Sequence, residues 1–399
     1  MKLAVLGGRL QGVEIAYLAA KAGWQVVVVD RDPTAPAAGL CETFYAFDLM
    51  DNEQLMSLLR TVDFVIPALE DQEVLDHISR CAAKAGVRVA YDREAYLLSS
   101  SKIRSDGLFA MLGVPAPKPW PFCNFPLTIK PSNASGSEGV LFCEDAHQFE
   151  QWLATVEHPE AWVKQEFLPG PSYSIEVIGS EGRYRTFHIT ELEMDADYDC
   201  KRVTAPVSFP DELELALSNI ALTLAQALQL NGIMDVEVIH HQGQLKVLEI
   251  DARFPSQTPT AVYHCSGINL VQALWQSGKG FDGSVQRTEN TRGVIYEHIQ
   301  VVGESLSVCG EHIMAQAGPL SLRADFFGAQ EALTNYRPGQ SCWVATLIIR
   351  GEDLQAARLL REEVMLNIRQ SLGISKYLDP VPASMAKQSQ ACSLIKGEV

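Results

Sequence analysis

Two neighbouring segments that alternate apolar and acidic residues constrain this chain more than any other feature. Residues 232–239 and 246–253 each have the alternation of a half-buried strand, and the short turn between them predicts a β-hairpin. Because successive side chains point to opposite faces, Asp235 and Glu237 share one face of the first strand. The apolar residues share the other: Met234, Val236 and Val238. The hairpin therefore carries acidic groups on one side and core residues on the other.

The second strand adds further acidic groups to this predicted hairpin. Strict alternation puts Leu248 and Ile250 on one face, and it puts the following residues on the other: Val247, Glu249 and Asp251. If residues 241–243 form a three-residue loop with Gly243 left-handed, Asp235 lies directly opposite Glu249. Facing like charges destabilise a strand pair. A Mg²⁺ ion that bridges carboxylates to nucleotide phosphates would relieve the repulsion, and a solvated acidic face is the alternative.

Composition limits the class of protein. A chain of 399 residues is expected to form two or three domains. The net charge of −17 argues against nonspecific nucleic-acid binding, which requires Lys and Arg to neutralise phosphates. The nine cysteines are scattered without a CxxC motif, which argues against zinc and disulfides and favours a cytoplasmic protein. No signal peptide and no apolar stretch of the ~20 residues that span a bilayer is found, so no membrane association is expected.

The order of strand and helix patterns predicts a mixed α/β and α+β protein with three domains. Residues 1–98 alternate strands and helices, as in a Rossmann-like parallel domain. Residues 99–285 form the second domain, with a lid subdomain at about 120–185. Residues 286–399 form a β-rich C-terminal domain in which Glu311–Met314 is expected to be a strand, and the polar last twenty residues are expected to be disordered.

A glycine turn, Gly7–Gly12, lies between the first strand and the first helix, and Asp30 closes the second strand. This pattern invites a dinucleotide-binding interpretation. However, Arg9 stands where the motif needs the glycine that lets a pyrophosphate approach the backbone. The helix N-terminus could instead bind an anion or a substrate carboxylate with help from Arg9, or the segment could be a plain tight turn.

Three further segments have equivocal patterns when each is considered alone. The loop 132–139 follows Lys130 and is rich in Ser and Gly, as in a phosphate-covering loop or a flexible surface hairpin. The strand 163–170 ends in Glu-Phe-Leu-Pro-Gly, which could present backbone groups to an adenine edge. Arg253 lies two residues beyond Asp251 and could bind a phosphoryl oxygen or pair with a carboxylate.

The order of these segments resembles the ATP-grasp superfamily. The resemblance implies an ATP-dependent carboxylate–amine ligase that uses Mg²⁺, and it implies roles for particular residues. The implied metal ligands are Asp235, Glu249 and Asp251, and Arg253 and Lys130 would be catalytic. The implied nucleotide-binding residues are Leu10, Gln11, Asp30, Lys102, Lys130, Ser135, Ser137, Gln165, Glu166, Phe167 and Leu168. Position 251 is Asp, where many members of the superfamily have Asn.

A closer resemblance connects most of residues 1–300 with the 3-methyl-D-ornithine–L-lysine ligases of pyrrolysine biosynthesis. It rests on Gly7–Gly12, Tyr198–Cys200, Gly232–Glu237 and especially Glu249–Ala261, which general ATP-grasp enzymes lack. The implied substrates are 3-methyl-D-ornithine, activated at its carboxylate, and the ε-amine of L-lysine. The candidate substrate-binding residues are Arg9, Glu70, Ser174, Glu176, Asp199, Arg253, Ser256 and Thr258.

Several alternatives stay open at this point. The substrates could be another pair of amino acids. The chain could instead be an NAD-dependent oxidoreductase that uses the Gly7–Gly12 turn, or a nucleotide-sensing protein on a retired ATP-grasp scaffold. The oxidoreductase gives no reason for the acidic hairpin, and a retired site would have no use for metal ligands. The oligomeric state, including a homodimer, is also open.

Overall fold

A computed structural model describes residues 1–134, 136, 138–279 and 291–382. The N-terminal part is a five-stranded parallel sheet in the order β3-β2-β1-β4-β5. Its elements are β1 (Lys2–Leu6), α1 (Leu10–Lys21), β2 (Gln25–Asp30), a 3₁₀ turn (Pro36–Gly39), β3 (Thr43–Ala46), α2 (Asn52–Leu59), β4 (Phe64–Pro67), α3 (Gln72–Ala85) and β5 (Arg88–Val89). The expected Rossmann-like sheet is therefore confirmed, with β3 as a strand that the sequence pattern had not indicated.

Two helices and a small antiparallel sheet follow. The sheet has the order β7-β6-β8. The elements are α4 (Arg93–Ser99), α5 (Lys102–Leu112), β6 (Leu127–Pro131), β7 (Leu141–Cys143), α6 (Ala146–Thr155), a 3₁₀ turn (Pro159–Ala161) and β8 (Trp162–Glu166). The amide of Lys102, the first residue of α5, donates to the carbonyl of Ser132 at 2.9 Å. This bond fixes the start of α5 beside the Ser/Gly loop.

A twelve-stranded sheet forms the rest of the molecule. Its main path is β14-β13-β9-β11-β12-β15-β19-β18-β17, with β10, β16 and β20 as side branches. The elements are β9 (Ser172–Ser180), β10 (Arg183–Thr186), β11 (Thr190–Met194), β12 (Cys200–Ala205), α7 (Asp211–Ala227), β13 (Gly232–His241), β14 (Gln244–Asp251), α8 (Thr258–Ser266), α9 (Leu270–Ser277), β15 (Gly293–Val302), β16 (Ser305–Val308), α10 (His312–Ala315), β17 (Ser321–Phe326), β18 (Ala329–Thr334), β19 (Cys342–Gly351), α11 (Leu354–Leu372) and β20 (Lys376–Leu378).

The large sheet runs without interruption from the acidic hairpin into the C-terminal strands, because β12 pairs with β15 and Arg202 lies opposite Glu297. The expected strand at Glu311–Met314 is wrong, since His312–Ala315 forms one helical turn. A run of four residues is too short for periodicity to separate the two structures. The expected boundary at residue 286 falls in 280–290, and most of the expected disordered tail falls in 383–399; both segments lie outside the described residues.

Helix α7 determines which way the acidic hairpin faces. Leu217, Ala221 and Leu224 recur at helical spacing and are fully buried. They pack in one core cluster with Val236 and Val238 of β13. Because the apolar face of β13 is covered by this helix, its acidic face is directed away from the core. The carboxylates therefore point toward the space between the two antiparallel sheets.

Candidate active site

The acidic hairpin is tighter than the sequence suggested. Gln242 and Gly243 both have positive φ angles, 50° and 79°, and His241 pairs with Gln244, so the turn has two residues rather than three. The strand pairs are Asp235 with Asp251 and Glu237 with Glu249. The expectation that Asp235 faces Glu249 is therefore wrong, and two pairs of facing carboxylates exist instead.

A β-bulge at Leu248 produces this register. Glu237 pairs with Glu249, but the next residue, Val238, pairs with Val247, so Leu248 is the extra residue. Val247 is consequently fully buried beneath the sheet with Ile250, contrary to the strict alternation expected for it. The Leu248 carbonyl accepts a hydrogen bond of 3.1 Å from Lys130 Nζ. The bulge thus frees a backbone oxygen that orients one of the implied phosphate-binding lysines.

The facing carboxylates perturb each other electrostatically. Burial raises the pKa of Glu237 to about 7, and the opposing Glu249 adds to the rise. Burial also raises the pKa of Asp251 to about 6, although Arg253 opposes it. Burial, followed by the charge of Asp251, raises the pKa of Asp235 well above its usual range. Such a group of acids is stabilised when a cation joins it.

Lys102 is one of the cations that contact the acidic face in this structure. Its ammonium group lies 2.5 Å from Glu249 Oε1 and donates to the Ala134 carbonyl at 2.5 Å. Lys130 is also buried, and this burial lowers its pKa although Glu249 opposes the effect. The two lysines thus connect the hairpin to the loop that follows β6.

A cavity of about 160 Å³ lies between the hairpin and the small sheet. It collects the predicted lysines and hinge residues in one place: Lys102, Lys130, Gln165, Glu166, Phe167 and Leu168, together with Glu237 and Glu249. Glu166 is held by Lys246 at 2.6 Å and by the Lys118 amide at 3.0 Å. Ser135 and Ser137, the other predicted loop contacts, lie outside the described residues.

A second cavity, of about 120 Å³, adjoins the same carboxylates. It is lined by five of the predicted substrate-binding residues: Ser174, Asp199, Arg253, Ser256 and Thr258. The hydroxyls of Ser174 and Thr258 and the amide oxygen of Gln257 are buried and have no hydrogen bond of normal geometry to any described residue. Unsatisfied buried polar groups are costly. Their concentration around one cavity indicates a binding site for a polar ligand.

Glu176 lies behind this second cavity rather than in its wall. Its side chain is fully buried, and within the part of the chain that the structure describes neither carboxylate oxygen has a hydrogen bond of normal geometry. Burial raises its pKa to about 7, although the Thr258 hydroxyl opposes the rise. It pairs in register with Asp235 across β9 and β13. The structure therefore does not place Glu176 in direct reach of a ligand in the cavity.

The remaining predicted residues lie in a crevice of about 470 Å³ in the N-terminal part: Arg9, Leu10, Gln11, Asp30 and Glu70. Both carboxylate oxygens of Asp30 are engaged locally, by the amides of Gly8 at 2.7 Å and Asp32 at 2.9 Å. The structure separates Leu10, Gln11 and Asp30 from the cavity that holds the two lysines and the hinge. Sequence proximity to the Gly7–Gly12 turn could not show this separation.

Arg253 connects the crevice to the second cavity. Its guanidinium pairs with Asp251 at 2.6 Å and with Glu70 at 3.1 Å. Glu70 also accepts a hydrogen bond of 3.2 Å from Gln11. The salt bridge between Arg253 and Asp251, which the sequence left as an alternative to phosphoryl binding, is thus present in this structure.

Glu237 and Glu311 are among the site residues that were missing from the prediction. Glu237 lines both cavities, and its place on the acidic face of β13 was a usable signal. Glu311 reaches the second cavity from the segment before α10, and burial raises its pKa, although the neighbouring Ser256 hydroxyl opposes the rise. No local pattern could have found Glu311, because the segment carrying it was expected to be a strand of a separate domain.

The acidic residues are suited to share an ion with a nucleotide. Within the described ranges, no three side chains of His, Cys, Asp or Glu lie together closely enough to hold a metal ion. Mg²⁺ usually takes one or two carboxylates and completes its shell with phosphate oxygens and water. The facing Glu237 and Glu249 provide such a pair, and every donor in the group is oxygen. The residues therefore fit Mg²⁺ bound with ATP phosphates.

Comparison with known proteins identifies the family to which this chain belongs, and the family agrees with the geometry of the site. A model of the ATP-grasp domain matches residues 100–257, and a model of the PylC-like N-terminal domain matches residues 3–90. The 3-methyl-D-ornithine–L-lysine ligase of Methanosarcina acetivorans is 33% identical over 374 residues, which cover 93% of this chain and 98% of that protein. The protein belongs to the 3-methyl-D-ornithine–L-lysine ligase family. It is therefore an ATP-grasp enzyme, an ATP-dependent carboxylate–amine ligase.

Further comparisons support this family assignment. The ligase of the same name from Methanosarcina mazei is 34% identical over 315 residues, which cover 78% of this chain and 82% of that protein. Among solved structures, the ADP complex of purK N5-carboxyaminoimidazole ribonucleotide synthetase has a TM-score of 0.68 at 14% identity, covering 93% of this chain and 97% of that one. The similarity to the synthetase structure, at 14% identity, shows the fold alone. No helix in the described part of the chain has the length and apolar character that crossing a membrane requires.

Proposed function

We propose that the protein joins 3-methyl-D-ornithine to the ε-amine of L-lysine at the expense of ATP, in the cytoplasm and with Mg²⁺. The observation that carries this proposal is the cavity in which the Glu237–Glu249 pair, two lysines and the hinge strand meet. The relatives that match at 33% and 34% identity carry the name of this reaction. The substrate cavity adjoins the same carboxylates, as transfer of a phosphoryl group between the two sites requires.

The reaction proceeds in two steps. A carboxylate oxygen of 3-methyl-D-ornithine attacks the γ-phosphorus of ATP, which breaks the bond to ADP and gives an acyl phosphate. The amine of lysine then attacks the acyl carbon, and the bond from that carbon to the phosphate oxygen breaks, giving an amide and phosphate. No protein nucleophile takes part, so catalysis depends on positioning and electrostatic stabilisation.

Each polar side chain has a place in this chemistry. Lys130, oriented by the Leu248 carbonyl, and Lys102 bind phosphate oxygens as point charges. The facing Glu237 and Glu249 would hold Mg²⁺ together with phosphate oxygens, and the ion would neutralise phosphate charge; Asp235 and Asp251 add negative charge beside this pair. Arg253 exchanges its salt bridge with Asp251 for the transferring phosphoryl group.

The second cavity suits an amino acid. Asp199, Glu311 and Arg253 all line it; the two acids offer negative charge for ammonium groups, and the arginine offers a cation for the carboxylate. The Ser174 hydroxyl has no hydrogen-bond partner among the described residues and is available to bond the substrate. The loop after β6 covers the nucleotide and excludes water, which protects the acyl phosphate from hydrolysis.

The experiment that tests this proposal measures ADP release from Mg-ATP with L-lysine and D-ornithine, a simpler analogue of the methylated substrate. Each amino acid is also tested alone, and the product mass is read in parallel. Release that requires both amino acids, with a product of their summed mass less one water, is the expected result. A Glu249→Gln variant, which keeps the side-chain shape, should lose this release while retaining the fold by circular dichroism.

Two other outcomes have separate meanings. If Mg-ATP raises the melting temperature but this pair of amino acids gives no ADP release, the nucleotide site stands and the pair is wrong. Screening other amino-acid pairs would then identify the substrates. If Mg-ATP has no effect on the melting temperature, the proposed nucleotide site itself is refuted.

A further inference from the structure

The second step of the proposed reaction requires an amine without its proton. The ε-amine of lysine has an ordinary pKa of about 10.4 and is protonated at neutral pH. An ammonium group has no lone pair and cannot attack the acyl phosphate. The site therefore needs a group that accepts this proton, and none of the lysines, metal-binding acids or Arg253 is suited to that role. The following inference rests on the proposed function.

His312 and Asp199 form a pair at the point where the substrate cavity meets the N-terminal crevice. Asp199 lines the cavity and His312 lines the crevice. The His312 Nδ1 atom lies 2.7 Å from Asp199 Oδ2, and the His312 backbone amide donates to the same oxygen at 3.0 Å. The first bond orients the imidazole ring, and the second holds the backbone that carries it. The pair thus borders both spaces in which the two amino acids can meet.

The second ring nitrogen of His312 faces the loop after β6. Because Asp199 accepts a hydrogen bond, Nδ1 carries the proton in the neutral ring and Nε2 keeps a free lone pair. A Cβ atom at Gly136 would lie 2.9 Å from Nε2 and 2.8 Å from Cε1. Gly136, which has no side chain, therefore lies against the side of the ring that can accept a proton.

We propose that His312, oriented by Asp199, accepts the proton of the attacking ammonium group. The proton moves from the ammonium nitrogen to Nε2, and the nitrogen lone pair then forms the bond to the acyl carbon. The tetrahedral intermediate loses a second nitrogen proton to the departing phosphate as the carbon–oxygen bond breaks. His312, whose side chain is half exposed, passes its proton to solvent.

The groups around His312 change the pKa of its imidazole in the direction that a general base requires. The hydrogen bond to Asp199 raises its pKa to about 8, burial opposes the rise, and Glu311 and Glu138 add to it. Arg9, Arg31 and Asp32 line the crevice that His312 also lines. A general base is most effective when its pKa lies near the working pH, because it is then basic enough and still partly free of its proton.

Replacement of His312 by Asn separates this role from a structural one. The Asn amide can occupy the position of Nδ1 and donate to Asp199, but it offers no base at Nε2. Two nucleophiles are compared in the presence of Mg-ATP and D-ornithine: L-lysine, which must lose a proton, and hydroxylamine, which is neutral at pH 7. The amide formed with lysine and the hydroxamate formed with hydroxylamine are both measured by mass spectrometry, and the folded state is checked by circular dichroism.

In His312→Asn, ligation to lysine is expected to fall about 10²- to 10⁴-fold, the usual contribution of a general base, while hydroxamate formation changes less than about threefold. The rise of the wild-type lysine rate with pH through about 8 should also disappear. An equal loss of both products would show that His312 only positions substrate or loop, and an unchanged lysine rate would exclude it as the base. Absence of hydroxamate in the wild type would refute the proposed function itself.

Discussion

Replacing Glu297 by Gln should destabilise the protein strongly, because this carboxylate is fully buried between two arginines. Arg202 Nε donates to Glu297 at 2.5 Å, and Arg361 binds the same carboxylate through Nε at 2.9 Å and Nη2 at 2.7 Å. The group also contains Asp379, which accepts from Arg202 at 2.7 Å and from Lys201 at 2.5 Å. Loss of one negative charge leaves buried cations without a matching anion.

The size of the effect follows from this arrangement. Breaking a buried ion pair costs about 3–5 kcal/mol, because the remaining charge stays out of water. Gln keeps one acceptor oxygen, and Asp379 still neutralises part of the charge, so we expect about 3 kcal/mol. Glu193 also binds Arg202, but its side chain is 38% exposed. Glu193→Gln removes the same charge and should cost about 0–1 kcal/mol.

Urea unfolding of both variants, followed by tryptophan fluorescence, provides the comparison. Trp343 is buried in the C-terminal core on strand β19, which pairs with the strand carrying Glu297, and reports on this region. The expected result is a free energy of unfolding several times more reduced in Glu297→Gln than in Glu193→Gln. If the two variants differ by less than about 0.5 kcal/mol, the buried network does not hold the C-terminal strands in the way its geometry indicates.

Three further predictions concern the metal pair, the covering loop and a buried acid. Glu237→Gln should raise the Mg²⁺ concentration needed for half-maximal ADP release at least about tenfold, because it removes one carboxylate of the Glu237–Glu249 pair. As a control, Glu193→Gln should leave the Mg²⁺ titration unchanged. Gly136→Ala should lower kcat/KM about tenfold, because Gly136 has a φ of 57° and an added Cβ would clash with His312. Gly182 also has a positive φ, 77°, but has open space around it, so Gly182→Ala should not change kcat/KM. Burial raises the pKa of Glu14 to about 7 from an ordinary 4.5, although the amide of Thr260 opposes the rise. Glu14 therefore binds its proton more tightly in the folded state than in the unfolded state, and the free energy of unfolding should fall by about 3 kcal/mol as the pH rises from 4.5 to 7. Glu14→Gln should flatten this part of the stability–pH curve. An unchanged curve would contradict the raised pKa of Glu14.

Local pattern predicted much of the fold. The helix at Gln72–Ala85 and the strand at Phe64–Pro67 have the bounds that the sequence indicated. The helix is amphipathic and is capped by Asp71 and Gly86, and the strand is a short continuous apolar run. The acidic face of β13 was likewise correct, since alternation across a strand depends on sequence alone. The resemblance to ATP-grasp proteins supplied the lysines and hinge residues that the structure brings into one cavity.

Other features depended on tertiary contacts. The bulge at Leu248 reversed the face of Val247 and shifted the carboxylate pairs by one position, and no residue type in β14 marks it. Glu311 and His312 come from the C-terminal part and approach Asp199, more than one hundred residues earlier, through pairing of β12 with β15. Contacts between distant segments are set by strand pairing and packing, which leave no signature in either segment.

The sequence by itself therefore determined the order of elements, the acidic face and the residue types available for ATP chemistry, because these follow from side-chain periodicity and from donor chemistry. Only the tertiary structure decided that Leu10, Gln11 and Asp30 lie in a crevice separate from the nucleotide cavity. It also decided which carboxylates face each other and that His312, on the short helix α10, contacts Asp199 in the wall of the substrate cavity. The physical reason is that register and packing are collective properties of many residues, whereas alternation and capping are local ones.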